Sequence, residues 1–377
     1  MKLSIERVAL LKSLAHVQNV VERRSTIPIL SNVKLRASGD GLMLAATDMD
    51  LSVEAHQPAR IAEPGETTVA AHTLFDIIRK MPDGSEVTLE VTPPREGMSG
   101  VELSVRAGRS VFNLPCLPAD EFPAMPADDL GVRFEIPAAD LRKLVDKTKF
   151  AVSTEETRYY LNGVHVHAHN DGATSMLRGV ATDGHRLARV EVALPAGAGS
   201  IPAIIIPRKT VGELRKLIED LDGHVTVGVS DKLVQFLLEG AVLVSRLIEG
   251  TFPDYERVIP SGNETVARLE SKGFADAVDR VATISTERAR AVKLHFQDGQ
   301  VTLSAVSAES GRAVEELDGS LEGKPLEIGF NARYVLDILG EIEGDEVTFE
   351  MSNPAAPTLV RDPADGSTLY VLMPMRV

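Results

Sequence analysis

The chain has 377 residues, which is long enough for two or three domains that each bury a core. Its 44% hydrophobic and 25% charged residues exclude a largely disordered protein, and its single cysteine, Cys116, excludes an intrachain disulfide framework. The formal net charge of -15 at pH 7 argues against a nucleic-acid partner, because DNA and RNA are themselves polyanions.

The beginning of the chain and its apolar runs carry no signal for export or membrane insertion. Charges are scattered through "MKLSIERVALLKSL", which predicts no signal peptide. The densest apolar run, "IPAIIIP", is far shorter than the roughly 20 residues that a membrane-spanning helix needs. Because a lone cysteine also fits a reducing compartment, we expect a cytoplasmic protein without a membrane partner.

Three segments along the chain predict a short strand followed by an amphipathic helix. They are "KLSIERVALLKSLAHVQNVV", "RFEIPAADLRKLVDKTKFAV" and "ARLESKGFADAVDRVATIS". In each, apolar or small residues recur three and four positions apart, which is the spacing of one helix face. These positions are Leu10, Leu14, Val17 and Val21 in the first segment, Leu141, Leu144, Val145 and Thr148 in the second, and Phe274, Ala277, Val278 and Val281 in the third.

Three other segments share a pattern of strand, helix, acidic or glycine-containing turn, and strand. They are "TTVAAHTLFDIIRKMPDGSEVTLEV", "AIIIPRKTVGELRKLIEDLDGHVTVGV" and "LEIGFNARYVLDILGEIEGDEVTFEM". Between the two helices of every repeat, apolar and polar residues alternate, as in "VKLRASGDGLMLAATD". This alternation is typical of hairpin strands with one buried face.

The repeated patterns predict an α+β protein made of three tandem copies of one domain. The two halves of each copy resemble each other, so we expect a pseudo-twofold domain with two helices packed on β-sheet. Proline-rich "LPADEFPAMPADDLG" and "FPDYERVIPSGN" mark the joints between copies. We therefore place the domains at residues 1–130, 131–262 and 263–377.

The predicted helices are more basic than the rest of the chain. Windows around them hold 19 Lys or Arg and 14 Asp or Glu, whereas the whole chain holds 40 and 55. The windows are residues 6–24, 73–81, 140–150, 208–221, 272–290 and 332–343. A locally basic helical layer can follow phosphates inside an acidic protein, although an ordinary solvated helix face explains the charge equally well.

Alternating histidines in "VHVHAHND" raise the question of a metal site. His165, His167 and His169 share one face of a predicted strand, and neighbouring members are about 6.6 Å apart. Because zinc holds nitrogen ligands at about 2 Å, a straight strand cannot place all three around one ion. Two of them with an outside ligand stay possible, but the spacing favours a polar, solvent-facing side of a hairpin. We expect no metal and no cofactor.

The segment "ATDGHRLA" has the composition of a catalytic site. Asp183 and His185 are two residues apart, which suggests a carboxylate–imidazole pair for proton transfer. However, Thr47 and Asp48 of "ATDMDLSVEA" align with Thr182 and Asp183, so this pair belongs to the shared domain architecture. His185 and its neighbour occur in the middle copy alone, and no nucleophile lies nearby in sequence. A binding feature is therefore the better interpretation.

Several long segments carry a resemblance to a known family. "RYYLNG", "ATDGHRLA", "IIPRKTVGEL", "FPDYERVIP", "IGFNARYVLDIL" and the terminal "YVLMPMRV" resemble the bacterial DNA polymerase III β subunits, the sliding clamps of replication. The resemblance runs over the whole chain. It implies a non-catalytic processivity factor, in which two chains of three domains close head to tail into a ring around duplex DNA without sequence preference.

The resemblance also implies a groove between the second and third domains that binds short peptides of the polymerase, the clamp loader and repair proteins. Flexible methionines suit a surface that accepts several peptides, and arginines are expected to meet their acidic or carbonyl-rich parts. The matched positions are Leu161, Thr182, Gly184, His185, Arg186, Leu187, Pro253, Arg257, Val258, Asn331, Tyr334, Val371, Met373, Pro374, Met375 and Arg376.

Positions that contact DNA in the family match in part. Arg24, Tyr159 and Tyr160 agree with the family pattern. His72 and Thr73 stand where relatives can carry Arg-Lys, and Glu155 and Glu156 precede "RYYLNG". The match to the DNA contacts of the family therefore does not extend to these four residues.

Helix packing predicts that a ring of this kind needs two chains. Neighbouring packed helices lie about 10 Å apart, so six helices around a circle enclose a hole roughly 9 Å in diameter, whereas twelve enclose one of roughly 28 Å. Only the larger hole admits a DNA duplex. The expected joint pairs the "SVFNLPCL" edge of the first domain with the region of Ile284 in the third.

Two other functions fit parts of the sequence. A metal-dependent hydrolase would use the histidine strand with Asp183, and a static scaffold would use the groove without encircling DNA. Bound zinc would favour the hydrolase.

Overall fold

The computed structural model describes residues 1–22, 25–39, 41–93, 100–125, 130–172, 174–285 and 290–376. The described helices are α1 (Arg7–Gln18), α2 (Ala71–Lys80), α3 (Ala138–Lys149), α4 (Arg208–Leu217), α5 (Ser271–Ala282) and α6 (Ala332–Leu339). Short 3-10 helices span Pro28–Ser31, Ala119–Glu121, Glu156–Leu161, Ala198–Ser200 and Tyr255–Val258.

The strands are β1 (Lys2–Glu6), β2 (Asn32–Ser38), β3 (Gly41–Thr47), β4 (Leu51–Pro58), β5 (Arg60–Glu63), β6 (Gly65–Ala70), β7 (Glu86–Thr92), β8 (Glu102–Ala107), β9 (Ser110–Leu117), β10 (Val132–Pro137), β11 (Gly163–Asn170), β12 (Ser175–Thr182), β13 (Arg186–Ala193), β14 (Ile204–Pro207), β15 (His224–Val229), β16 (Leu233–Leu238), β17 (Ala241–Arg246), β18 (Thr265–Glu270), β19 (Ala291–Gln297), β20 (Gln300–Ser307), β21 (Gly311–Asp318), β22 (Ser320–Glu322), β23 (Leu326–Asn331), β24 (Glu346–Met351), β25 (Thr358–Arg361) and β26 (Thr368–Leu372).

The predicted order of strands and helices is confirmed. Each predicted strand–helix pair is present, and the apolar positions of the helices are the buried ones. Leu10, Leu14 and Val17 of α1 are inaccessible to solvent, as are Ala277 and Val278 of α5. Helix α1 packs against α2, and α5 against α6. The helices therefore form because one apolar face of each is buried.

The described residues form two compact units. The first comprises residues 1–139, 195–202 and 209–247. Its strands form one 13-stranded sheet in the order β10-β15-β16-β17-β4-β3-β2-β6-β9-β8-β7-β1-β5. At the junction between β17 and β4 the strands are antiparallel, and Ser245 pairs with Leu51. A strand of the middle copy thus continues the sheet of the first copy.

The second unit comprises residues 140–194, 203–208 and 248–377. It contains a nine-stranded sheet, β14-β11-β12-β13-β26-β25-β24-β18-β22, and a four-stranded sheet, β21-β20-β19-β23. Strand β13 pairs antiparallel with β26, so that Arg186 lies opposite Leu372. The two units do not coincide with the three predicted copies, because the middle copy contributes strands to both.

No helix in the described ranges is both long enough and apolar enough to cross a membrane.

Candidate functional site

The segment "TDGHR" forms a tight turn between β12 and β13, and its carboxylate is used within the turn. Asp183 Oδ1 accepts hydrogen bonds from the backbone N–H groups of His185 and Arg186 at 2.9 and 3.0 Å. The Thr182 hydroxyl donates to the carbonyl of Arg186 at 2.6 Å and accepts from the N–H of Gly184 at 3.1 Å. The carboxylate therefore caps a turn, which leaves it poorly placed to act as a base toward His185.

The first copy repeats this turn between β3 and β4. The Thr47 hydroxyl donates to the carbonyl of Leu51 at 2.9 Å. Asp48 Oδ1 accepts from the N–H groups of Asp50 and Leu51 at 3.0 and 2.7 Å. The predicted equivalence of the two Thr-Asp pairs is confirmed, and the pair serves the fold in both copies.

The tip of the second turn favours glycine, although Met49 adopts a φ of +80° at the equivalent position of the first turn. Gly184 has a φ of +86°, which is unfavourable for other residues, and a Cβ there would lie 2.5 Å from Arg158 Nη1. Arg158 occupies this space because its Nη2 donates to the carbonyl of Asp183 at 3.0 Å and its Nε donates to Glu155 at 2.8 Å. Arg158 thus ties the 3-10 helix Glu156–Leu161 to the turn.

Arg186 is the centre of the buried contacts behind the turn. Its Nε donates to Asp183 Oδ2 at 3.2 Å, its Nη1 to Asp337, and its Nη2 to the carbonyl of Phe150 at 2.6 Å. Its guanidinium lies over the Tyr334 ring, 4.5 Å from the centroid. The side-chain donors of Arg186 hold the turn against α6, and a contact of Arg186 with a bound peptide stays a prediction.

The turn, α6 and the C-terminal segment meet on one side of the second unit. The rings of His185 and Tyr334 are stacked, with centroids 6.0 Å apart. The N–H of Met373 donates to the carbonyl of His185 at 2.9 Å, and the N–H of Met375 donates to the carbonyl of Gly329 at 2.9 Å. Burial, and then the nearby Asp183 carboxylate, raise the pKa of Tyr334, which keeps its hydroxyl protonated.

The predicted groove residues divide by exposure. The exposed ones are Gly184, His185, Pro253, Arg257, Val258, Met373 and Arg376. The half-buried ones are Thr182, Asn331, Tyr334, Pro374 and Met375, and the buried ones are Leu161, Arg186, Leu187 and Val371. The surface available to a ligand is therefore formed mainly by the turn, residues 253–258 and the C-terminal segment.

The buried members of the predicted set form a common core with residues that the sequence analysis missed. Leu161, Leu187 and Val371 belong to one hydrophobic cluster with Phe252 and Tyr255. The signal that identifies the two aromatic residues is their position in the proline-rich joint "FPDYERVIP", where exposed residues are otherwise the rule. They anchor the joint, which we call the linker (residues 250–260), to the sheet.

The tyrosines predicted to contact DNA lie at the end of the 3-10 helix beside the linker. The side chain of Tyr159 is 55% exposed, and its ring meets that of Tyr160 edge to face at 5.8 Å. Tyr160 is half-buried and packs against the hydrophobic cluster. Only Tyr159 therefore offers a free ring. Arg24 lies outside the described residues.

Two of the departures from the family pattern have structural roles. The His72 ring bridges α2 to α1, since Nδ1 lies 3.1 Å from Gln18 Oε1 and Nε2 lies 3.0 Å from the carbonyl of Val21. Glu155 binds Arg158, and this hydrogen bond holds the pKa of the Glu155 carboxyl below its usual value. Thr73 and Glu156 are exposed.

The histidines of β11, which we call the histidine strand, contact aromatic residues of the linker. In the described ranges, no group of three or more His, Cys, Asp or Glu side chains is placed to hold an ion. His165 stacks on Phe252, with ring centroids 4.6 Å apart, and His167 Nε2 lies 3.0 Å from the Tyr255 hydroxyl. The expectation of a solvent-facing strand is therefore wrong for these two histidines, because the linker covers them.

Comparison with known proteins agrees with this architecture along the whole chain. Residues 1–126 match the family model of the DNA polymerase III beta subunit N-terminal domain. Residues 135–254 match that of the central domain, and residues 256–376 that of the C-terminal domain. The chain belongs to the DNA polymerase III β subunit family. It has the three-domain clamp fold and is a DNA sliding clamp.

Curated clamps and solved clamp structures are similar over their full lengths. The beta sliding clamp of Caulobacter vibrioides (strain NA1000 / CB15N) is 52% identical, with all of both chains covered. That of Pseudomonas aeruginosa is 37% identical over the same full coverage. A crystal structure of the C. crescentus clamp with bound PEG has a TM-score of 0.95 and 52% identity, covering 100% of this chain and 99% of that one. A Bartonella birtlesii clamp bound to griselimycin has a TM-score of 0.95 and 46% identity, with both chains fully covered.

Proposed function

We propose that two copies of this chain close head to tail into a ring that encircles duplex DNA and tethers polymerase without catalysing a reaction itself. The domains of each copy are residues 1–130, 131–262 and 263–377. The observation that carries the proposal is a pair of incompletely paired sheet edges with exposed apolar side chains. A head-to-tail contact uses two different surfaces of the same chain, so a closed ring needs both edges. We place the ring in the cytoplasm, as the sequence predicts.

The first edge is the beginning of β9. Residues 110–115 pair with β8 on one side, whereas the pairing of β9 with β6 on its other side starts only at Cys116. Val111 is 52% exposed and Phe112 is 40% exposed. Unpaired edge strands with apolar side chains promote association, so this edge requires a cover. The sequence prediction named the same "SVFNLPCL" segment.

The second edge is β21, which pairs only with β20 among the described strands. Val314 on β21 and Val306 on β20 are 56% and 79% exposed. Arg280 of α5 forms an ion pair with Glu315 of β21, so the end of α5 lies beside this edge. Ile284 lies two residues after the end of α5, which brings the predicted joint and β21 together. We propose that β21 of one copy pairs with β9 of the other.

We propose further that DNA contacts are sequence-independent and involve Arg24, Tyr159 and Tyr160. The chain is acidic as a whole, but the windows around its helices hold more basic than acidic residues. Positive charge without a specific pattern of hydrogen-bond donors suits contacts to phosphates rather than to base edges. The His72 ring contacts Gln18 and Val21, so we do not expect it to contact DNA in the way that a basic side chain at this position in relatives would.

We propose that the predicted groove binds short peptides of the polymerase catalytic subunit, the clamp loader and repair proteins. The ring stack joins His185 to Tyr334, and a backbone hydrogen bond joins Met373 to His185. Met375 is held by its own backbone hydrogen bond to Gly329, and the linker residues Phe252 and Tyr255 share a hydrophobic cluster with Leu187 and Val371. Such a surface gives a peptide aromatic and thioether contacts with few fixed polar partners, which suits several related sequences.

The peptide proposal is tested by replacing the exposed histidine of the turn. We expect His185→Ala to weaken binding of a peptide with hydrophobic anchors by about 2 kcal/mol, or roughly thirtyfold in Kd, because a central contact is lost. Fluorescence anisotropy of a labelled peptide measures this. His224→Ala removes an exposed histidine from the other unit and serves as the matched control. Equal Kd values for the two variants would contradict the groove assignment.

A further inference from the structure

A buried hydrogen-bonded chain lies under the linker and involves the histidine strand. Arg178 of β12 donates through Nη1 to the Tyr255 hydroxyl at 3.2 Å and to Glu256 at 2.6 Å, and its Nε binds Glu191 of β13. The Tyr255 oxygen lies 3.0 Å from His167 Nε2. Arg178 is 7% exposed and Tyr255 is 6% exposed, so the contact between these two residues is shielded from water, whereas Glu256 is exposed and His167 is half-buried.

The partners fix the direction of two of these hydrogen bonds, and the protonation state of His167 decides the third. Arginine only donates, so the Tyr255 oxygen accepts from Arg178 and its proton is free to point at His167. His167 Nδ1 lies 3.0 Å from the carbonyl of Ala168, which can only accept. In the neutral ring, a proton on Nδ1 leaves Nε2 free to accept from the Tyr255 hydroxyl. Burial, and beyond it the charge of Arg178, lower the pKa of His167 and favour this form.

The chain of hydrogen bonds fixes the linker segment that forms one side of the candidate groove. Tyr255 begins the 3-10 helix Tyr255–Val258, whose last two residues are the exposed Arg257 and Val258. Phe252, three residues earlier, stacks on His165 with an interplanar angle of 6°. Exposed Pro253 lies between these two buried aromatic anchors. Moving the Tyr255 ring would therefore move the surface that a peptide contacts.

The equivalent positions of the first copy lack this arrangement. Strand registers place Lys34 where the middle copy has His165, and they place Arg36 and Met43 where it has His167 and Arg178. The first joint carries Phe122 and Met125 in the spacing of Phe252 and Tyr255, and a cavity of about 360 Å³ lies beside these residues. The hydrogen-bonded network of the middle copy is thus absent from the first copy and is not a requirement of the fold.

We propose that Arg178, Tyr255 and His167 act as positioning residues for peptide binding, by holding the linker in the conformation that presents Pro253, Arg257 and Val258. This inference rests on the proposed peptide-binding function of the groove. In this proposal the histidine strand supports the linker, which differs from both earlier interpretations, a metal site and a solvent-facing strand.

Protonation of His167 opposes this arrangement. A protonated ring has no acceptor for the Tyr255 hydroxyl, and it adds a positive charge beside Arg178. The groups that face His167 are Arg178 from β12, Tyr255 and Glu256 from the linker, and His165 and His169 from its own strand. As the pH drops below the lowered pKa of His167, wild-type peptide affinity is therefore expected to fall more than that of a His167→Gln variant, which keeps every other histidine, including His185 of the groove.

The test compares variants that each remove one group of the hydrogen-bonded network of Arg178, Tyr255 and His167. We expect Tyr255→Phe to weaken peptide binding about tenfold at pH 7.5, because the ring stays but loses both hydrogen bonds. We expect His167→Gln to keep most of the affinity, since its amide oxygen still accepts, and to decline less than the wild type at acid pH. His167→Leu should lose affinity at every pH. The matched control is Tyr370→Phe, which removes the hydroxyl of a buried tyrosine that is not part of this hydrogen-bonded network.

Binding is measured by anisotropy from pH 4.5 to 8 with an amidated peptide that has no titratable side chain, and thermal melting verifies that each variant is folded. Affinities and pH profiles of Tyr255→Phe and His167→Leu that equal those of the wild type would overturn the inference. A wild-type chain that binds no peptide would instead overturn the proposed groove, so the two failures are distinguishable.

Discussion

Replacing Phe112 with aspartate is expected to convert the ring dimer into monomers. Phe112 lies on the part of β9 that has one strand neighbour, and the proposed contact buries it against β21 of the second copy. A carboxylate buried there without a partner costs about 3 kcal/mol or more, which raises the dimer Kd at least about 100-fold. Sedimentation equilibrium across a range of protein concentrations measures the shift.

A matched variant separates this effect from a general loss of solubility or stability. Ile27→Asp changes another exposed apolar residue, which lies in a loop outside the sheets. It should leave the dimer intact. If Phe112→Asp remained dimeric at the concentrations where the wild type does, the β9 edge would not be part of the joint.

Deleting residues 373–377 is expected to abolish peptide binding and to leave the dimer unchanged. These residues follow β26, so the sheet keeps all its strands. The deletion removes Met373 and Met375, together with their backbone hydrogen bonds to His185 and Gly329. Losing one side of the groove together with support for His185 should raise the peptide Kd by at least about 100-fold, or about 2.7 kcal/mol.

The control for the deletion keeps the segment but changes its chemistry conservatively. A Met373→Leu and Met375→Leu double variant preserves apolar volume and the backbone contacts, so it should bind within about threefold of the wild type. Full binding by the deleted chain, measured by anisotropy beside an unchanged mass, would remove the C-terminal segment from the groove.

Much of the fold could be predicted from the sequence because its signals are local. Helical spacing at Leu10, Leu14 and Val17 and strand alternation in the hairpins depend on residues close in the chain. The shared turn could also be predicted, since Thr182 and Asp183 repeat the pair Thr47 and Asp48 at the same point of the copy. Side-chain hydrogen bonds over two to four residues explain why these types recur.

The remaining features depend on contacts between distant parts of the chain. The pairing of β13 with β26 joins residues more than 170 positions apart, and no alternation pattern specifies that partner. Arg186 has the sequence context of an exposed binding residue, yet Asp337 and Phe150 enclose it. In the same way, His165 alternates like a surface residue until the linker brings Phe252 over it.

The most direct test of the account is to load the dimer onto nicked circular DNA with a clamp loader and then cut the circle once. A ring held only by topology slides off the free ends, so we predict that the protein leaves the linear product and stays on the uncut circle. Blocking both ends of the linear DNA with bound protein should restore retention. Retention on linear DNA with open ends would contradict the encircling mechanism.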